Sequence, residues 1–204
     1  MKIIKPSVEI LSCPTEKDCL NLLEIAGKTC YQSKIGDSKK FVQQIMRSGH
    51  MSVIEHVNIT VRIVCDRGVM AELTRHRLAS FSISSTRYCN YSKDKFGSEI
   101  TVIQPCFFSL GSPGGITWKT AMTFAEDAYL VMIKDGASPQ EARTVLPNSL
   151  ATTIVMTANI REYLHILKLR TSQASHPQMR EMANILKEKL QERLPIIFKE
   201  TKRE

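Results

Sequence analysis

Fourteen residues, Arg75-His76-Arg77-Leu78-Ala79-Ser80-Phe81-Ser82-Ile83-Ser84-Ser85-Thr86-Arg87-Tyr88, carry three arginines, one histidine and a run of hydroxyls. Guanidinium groups grip phosphate or carboxylate through paired donors, and serine hydroxyls add further bonds. The stretch reads either as a ligand-binding edge for anionic oxygen or as a solvated basic turn, and local composition does not separate the two. A second concentration, His50-Met51-Ser52-Val53-Ile54-Glu55-His56, holds two histidines and a glutamate without the helical spacing of usual metal ligands, so it reads as a weak metal cluster or as loop polarity. Arg161 and His165 share a helix face at four-residue spacing, with Arg170 closing that run. Arg143 follows a helix start at Ser138-Pro139, where it can cap or bridge neighbouring elements.

The elements that must hold these groups are legible from periodicity. Val57, Ile59, Val61, Ile63 and Cys65 alternate with polar residues, which predicts a strand. Asp66 then caps a helix with Val69, Met70 and Leu73 as its apolar stripe, carrying Glu72, Arg75 and His76 along another face. From Leu78 the pattern turns to extended alternation. Upstream, Val8 to Ser12 predicts an edge strand. Thr15 caps a helix striped by Cys19, Leu22, Leu23 and Ala26, and Asp37 or Ser38 caps another with Phe41, Val42, Ile45 and Met46 inward, ending at Gly49. Downstream come a strand from Glu99 to Ile103, a flexible Gly111-Ser112-Pro113-Gly114-Gly115 loop, and a long helix with Ala121, Phe124, Ala125, Ala128, Val131 and Met132 as its buried stripe. Leu150 to Ala158 predicts a buried strand, Asn159 a helix cap, and Pro177 to Leu194 a helix with Met179, Met182, Ala183, Leu186 and Leu190 inward. Lys199 to Glu204 is a polar tail.

A chain of 204 residues that is 43% hydrophobic buries one sizeable core, so a single domain over 1–204 is expected. The net charge of +8 suits nucleic acid or phosphate-bearing small molecules without choosing between them. Six cysteines show no Cys-x-x-Cys pair, which disfavours a metal site and predicts free thiols. No window approaches the roughly eighteen apolar residues of a membrane span, and cytoplasmic residence is the default expectation.

The spacing Arg75-His76-Arg77, seven residues, then Ser85 resembles the signature of the flavin-dependent thymidylate synthases, the thymidylate synthase-complementing family. Four further segments agree in order: Gly49-His50-Met51-Ser52-Val53-Ile54-Glu55-His56, Glu141-Ala142-Arg143-Thr144-Val145-Leu146-Pro147, Asn159-Ile160-Arg161, and Leu169-Arg170 with His176-Pro177-Gln178. The resemblance implies an α+β domain with a central, mostly antiparallel sheet flanked by helices, assembled as a homotetramer with FAD between subunits. It also implies methylation of dUMP at C5, with 5,10-methylenetetrahydrofolate as carbon donor, NADPH as reductant, and no nucleic acid or membrane partner. By carry-over, His50, Ser52, Arg75, His76, Arg77, Ile83, Asn159, Arg161 and His165 lie on the FAD side. Glu72, Arg75, Ser84, Ser85, Arg87, Arg143 and Arg170 lie on the dUMP side, with Arg170 as the catalytic group that stabilises charge on the pyrimidine. The chain departs from the pattern at Ser82-Ile83-Ser84, where the family carries an amide or carboxylate; Ile83 offers no polar contact. Two alternatives remain: a flavin-dependent C5-methylase of UMP or another uridine nucleotide, and a non-catalytic nucleotide or nucleic-acid binder.

Overall fold

A computed structural model describes residues 1–30 and 32–199, so the polar tail lies, beyond Lys199, outside the described residues. Strand β1 (Lys2–Ile4) leads to β2 (Ser7–Ser12) and helix α1 (Glu16–Thr29), whose N-cap Thr15 accepts from the Asp18 N–H. Helix α2 (Ser38–Ser48) is capped by Asp37 and ends at Gly49, whose φ of 75° is the left-handed conformation that glycine adopts without a Cβ penalty. A 3-10 helix (Met51–His56) runs into β3 (Asn58–Asp66). Asp66 caps α3 (Arg67–Leu73) by accepting from the Val69 N–H at 2.8 Å, and β4 (Ala79–Ile83) follows. Then come β5 (Thr101–Ile103), α4 (Pro113–Lys134), α5 (Pro139–Ala142), β6 (Ala151–Asn159), α6 (Ile160–Arg170), α7 (Pro177–Arg193) and α8 (Pro195–Phe198).

The larger sheet has the order β2-β3-β6-β4, which puts β2 at an edge as its sequence predicts. Val57 O accepts from the Ile160 N–H at 3.0 Å, and the Thr60 and Thr157 hydroxyls meet at 2.9 Å. Residue numbers rise along β3 as they fall along β6, so this pair is antiparallel. The class is α+β, an antiparallel sheet flanked by helices. The chain divides into two compact units, and β2, β3, β4 and β6 contribute residues to both.

The first unit comprises residues 1–7, 63–75 and 82–154. Here β1 pairs parallel to β5 from Lys2 opposite Thr101 to Ile4 opposite Ile103, a two-stranded sheet separate from the larger one. Its core gathers Ile100, Val102, Met122 and Leu150, with Trp118 packed against it and the indole N–H donating to the Ser149 hydroxyl at 3.1 Å. The expected flexible loop is instead a helix start: Ser112 caps α4, and Gly115 is buried in its first turn. The expected buried stripe of α4 also fails. Met122, Glu126 and Tyr129 are buried, while Phe124 is 69% and Val131 65% exposed. The buried face tolerates polar atoms because each finds a partner: Glu126 accepts from the Ile100 N–H at 2.7 Å, and the Tyr129 hydroxyl accepts from the Tyr91 N–H at 3.3 Å.

The second unit comprises residues 8–62, 76–81 and 155–199. All five residues of the expected α7 stripe are buried. On α1, Cys19 and Leu23 are buried as expected, but Leu22 is exposed and Leu20 and Glu24 take the inward positions. Of the four residues expected inward on α2, Val42 alone is buried. The fully buried Tyr163 donates its hydroxyl to Ile59 O at 3.1 Å, tying α6 to β3.

Candidate active site

In the second unit, α6 and the Met51–His56 turn bring together most of the groups placed on the FAD side. Asn159 caps α6 by accepting from the Glu162 N–H at 2.9 Å, which commits its carbonyl oxygen to the helix. One residue into the helix, the exposed Arg161 donates to Glu55 of the 3-10 turn at 2.5 Å. His50 caps that turn and Ser52 lies within it; both are exposed, as are Arg77 and His165. The cluster is therefore an accessible set of hydroxyl, imidazole and guanidinium donors suited to an anionic ligand.

His76 differs from its neighbours. Arg75 and Arg77 are exposed, whereas His76 is 5% exposed with both ring nitrogens engaged. Its Nδ1 lies 3.1 Å from Glu162 Oε1, and its Nε2 accepts from Arg170 Nε at 3.1 Å. The His165 ring packs edge-on at 5.7 Å. Burial lowers the His76 pKa from its ordinary value, the Glu162 hydrogen bond opposes that shift, and the Arg170 guanidinium adds to it. An arginine can only donate, so Nε2 is the bare nitrogen and Nδ1 carries the proton toward Glu162. Both ring nitrogens of His76 are thus engaged within the protein.

In the first unit, Ser85 accepts at its hydroxyl from the Arg87 N–H at 3.2 Å, forming a tight turn directly after β4. Arg87 is exposed; its Nε donates to Gln140 at 3.1 Å, and its guanidinium sits 5.4 Å from the Tyr88 ring. Gln140 lies on α5, and exposed Arg143 opens the 3-10 turn after it. Glu72 is half-buried on α3, and Arg75 follows the helix end, exposed. Ser84 shares its hydroxyl with Thr152 at 2.9 Å and accepts from the Thr153 N–H at 3.0 Å, so it fastens the chain after β4 to β6. Ile83 ends β4, half-buried.

Two partners escaped the sequence reading, Glu162 and Gln140, as did the pairing of Glu55 with Arg161. Glu162 follows the Asn159 cap and reads as an ordinary first-turn acid, so only its burial reveals another role. Gln140 sits inside the first turn opened by Ser138, and nothing local in the sequence marks it as a partner for Arg87. Among the described residues no group of three or more His, Cys, Asp or Glu could hold a metal ion. All six cysteines are free, and burial pushes the Cys19 and Cys65 thiols up to about 12.

The family model described as "Thymidylate synthase complementing protein" matches residues 14–196. The flavin-dependent thymidylate synthase of Geobacter sulfurreducens is 31% identical over 187 residues, covering 86% of this chain and 79% of that protein. Its counterpart in Nitratidesulfovibrio vulgaris is 29% identical over 218 residues, covering 95% and 86%. Among solved structures, a UMP/dUMP methylase, PolB, from Streptomyces cacaoi bound with 5-Br dUMP superposes with a TM-score of 0.79 at 22% identity, covering 98% of this chain and 96% of that one. That likeness shows a shared fold. The ordered motifs, the model match over residues 14–196 and the identity across most of both chains together place this chain in the thymidylate synthase complementing protein family, the flavin-dependent thymidylate synthases.

Proposed function

We propose that this chain methylates dUMP at C5 to give dTMP, taking the carbon from 5,10-methylenetetrahydrofolate and reducing equivalents from NADPH through FAD. The observation that carries this reading is the family membership over residues 14–196. The donor chemistry of both units agrees with it. FAD is a pyrophosphate ester, and Ser52, Arg77, Arg161 and His165 offer exposed donors that fit such a group, with Glu55 fixing Arg161. When bound, the flavin supplies hydride chemistry that no side chain can. Ser85, Arg87 and Arg143 are assigned to the nucleotide phosphate, whose charge approaches two negative units. Arg170 is assigned to the pyrimidine edge, where a fixed guanidinium stabilises charge that develops as C5 becomes nucleophilic. Ser85 is not assigned as a nucleophile: its hydroxyl accepts from the Arg87 N–H, and among the described residues no base is paired with it.

Assembly as a homotetramer belongs to the same reading. Ile116, Phe124 and Val131 leave α4 with an exposed apolar face that suits association with further copies. Six free cysteines suit a reducing compartment, the cytoplasm.

Purified protein tests the reading. The expected result is flavin absorption bands, restored by added FAD if lost, and faster conversion of dUMP than of UMP. Conversion of UMP alone would favour the wider uridine-nucleotide methylase, and salt-dependent binding of DNA or RNA without conversion would favour the non-catalytic binder.

A further inference from the structure

We infer that Glu162 and His76 form a positioning relay that holds the Arg170 guanidinium, and that the relay releases it when His76 takes a second proton. The inference rests on the assignment of Arg170 to the pyrimidine. Glu162 and His76 are each about nineteen-twentieths buried, and Arg170 is half-buried at the C-terminal end of α6. Glu162, His165 and Arg170 project from one helix around the His76 ring, with contacts of 3.1 Å at Nδ1, 5.7 Å between rings and 3.1 Å at Nε2. An arginine side chain has four rotatable bonds and loses considerable freedom when fixed. A hydrogen bond at Nε removes much of that freedom and orients the plane of the guanidinium. The acceptor exists only in one tautomer of the neutral ring, and Glu162 selects that tautomer by accepting a hydrogen bond from Nδ1–H, as carboxylates behind metal-bound histidines do.

A doubly protonated ring would turn Nε2 into a donor facing the Arg170 Nε–H, with two positive charges in contact. The Nε contact that orients Arg170 would break. Burial and the Arg170 charge both push against protonation and Glu162 favours it, so the relay stays intact through neutral pH and fails on the acid side of the ordinary histidine range. The groups that set this balance are Glu162, Arg170 and His165.

The test combines a spectroscopic and a kinetic measurement on the full chain. Nitrogen NMR of labelled protein at neutral pH should show His76 as the neutral Nδ1–H tautomer with Nε2 unprotonated. In the kinetic arm, Glu162→Gln should lower kcat by up to about 100-fold with a smaller change in KM for dUMP, the scale of a misplaced group. Its acid limb should move to lower pH, because the carboxylate that favours the imidazolium is gone. His76→Gln, whose amide holds a donor and an acceptor but does not titrate, should retain more activity than His76→Leu and show no acid limb from this group. An Nε2–H tautomer or an imidazolium at neutral pH would overturn the relay even if the protein proved inactive on dUMP. So would an active wild type whose acid limb is unchanged in both Glu162→Gln and His76→Gln.

Discussion

Arg170 is the side chain on which the chemical reading places most weight. Its truncation separates binding from turnover. Arg170→Ala is expected to lower kcat by about 10²–10³, the loss seen when one preorganised charge-stabilising donor is removed, while FAD remains bound through other residues. Flavin absorbance after gel filtration and single-turnover dTMP formation check this; near-normal turnover would remove Arg170 from the chemistry. Much of this layer was visible in residue order, since Arg75, Arg77, Arg87, Arg161 and Arg170 are exposed or half-buried and carry the charge that an anionic ligand needs. His76 was not legible. It stands between two exposed arginines in an irregular segment, and no periodicity marks it as buried against an acid 86 residues away.

Helix starts were the most legible elements because capping is local chemistry: Thr15, Asp37, Asp66 and Asn159 each accept from the N–H three residues ahead. The start of α4 was missed because its glycines suggested a loop. A Cβ added at Gly115 would lie 2.0 Å from Ser109 O and 2.9 Å from Leu110 Cα. Neither backbone atom can swing aside, so Gly115→Ala is expected to destabilise the fold by about 1–3 kcal/mol, read as a lower denaturant midpoint with an unchanged slope. A second device joins α1 to the start of α2. Glu24 accepts from Lys28 at 2.6 Å, from the Ser38 hydroxyl at 2.6 Å and from the Gly36 N–H at 2.7 Å, and Lys28 leads in pulling its carboxyl down from 4.5 to about 2. A depressed carboxyl pKa contributes stability above its unfolded value, and the contribution is lost as pH falls through the folded one. Unfolding curves at neutral pH and near pH 2 should therefore diverge less for Glu24→Gln than for wild type; an identical pH dependence in both would show that the clamp adds nothing. The β1–β5 pair, by contrast, could not be read locally, because three residues at one end pair with three about a hundred positions away.

At the scale of the molecule, five motifs in order announced the family, while the two compact units had no sequence signal because four strands supply residues to both. The misread stripe of α4 belongs to this scale too. Its apolar positions at 116, 124 and 131 satisfy helical periodicity yet face outward, which suits the proposed association with another copy. Phe124→Glu is therefore expected to shift the proposed tetramer toward smaller species in light scattering while leaving the folded helix content intact, and an unchanged mass would remove α4 from the proposed interface. This fold is proposed to join a flavin to a uracil nucleotide and a folate. The most direct measurement is mass analysis of dUMP incubated with the protein, FAD, NADPH and 5,10-methylenetetrahydrofolate. The account predicts one added methyl group on the base, lost when either the flavin or the folate is omitted; unchanged dUMP in the complete mixture, from folded protein carrying FAD, would contradict it.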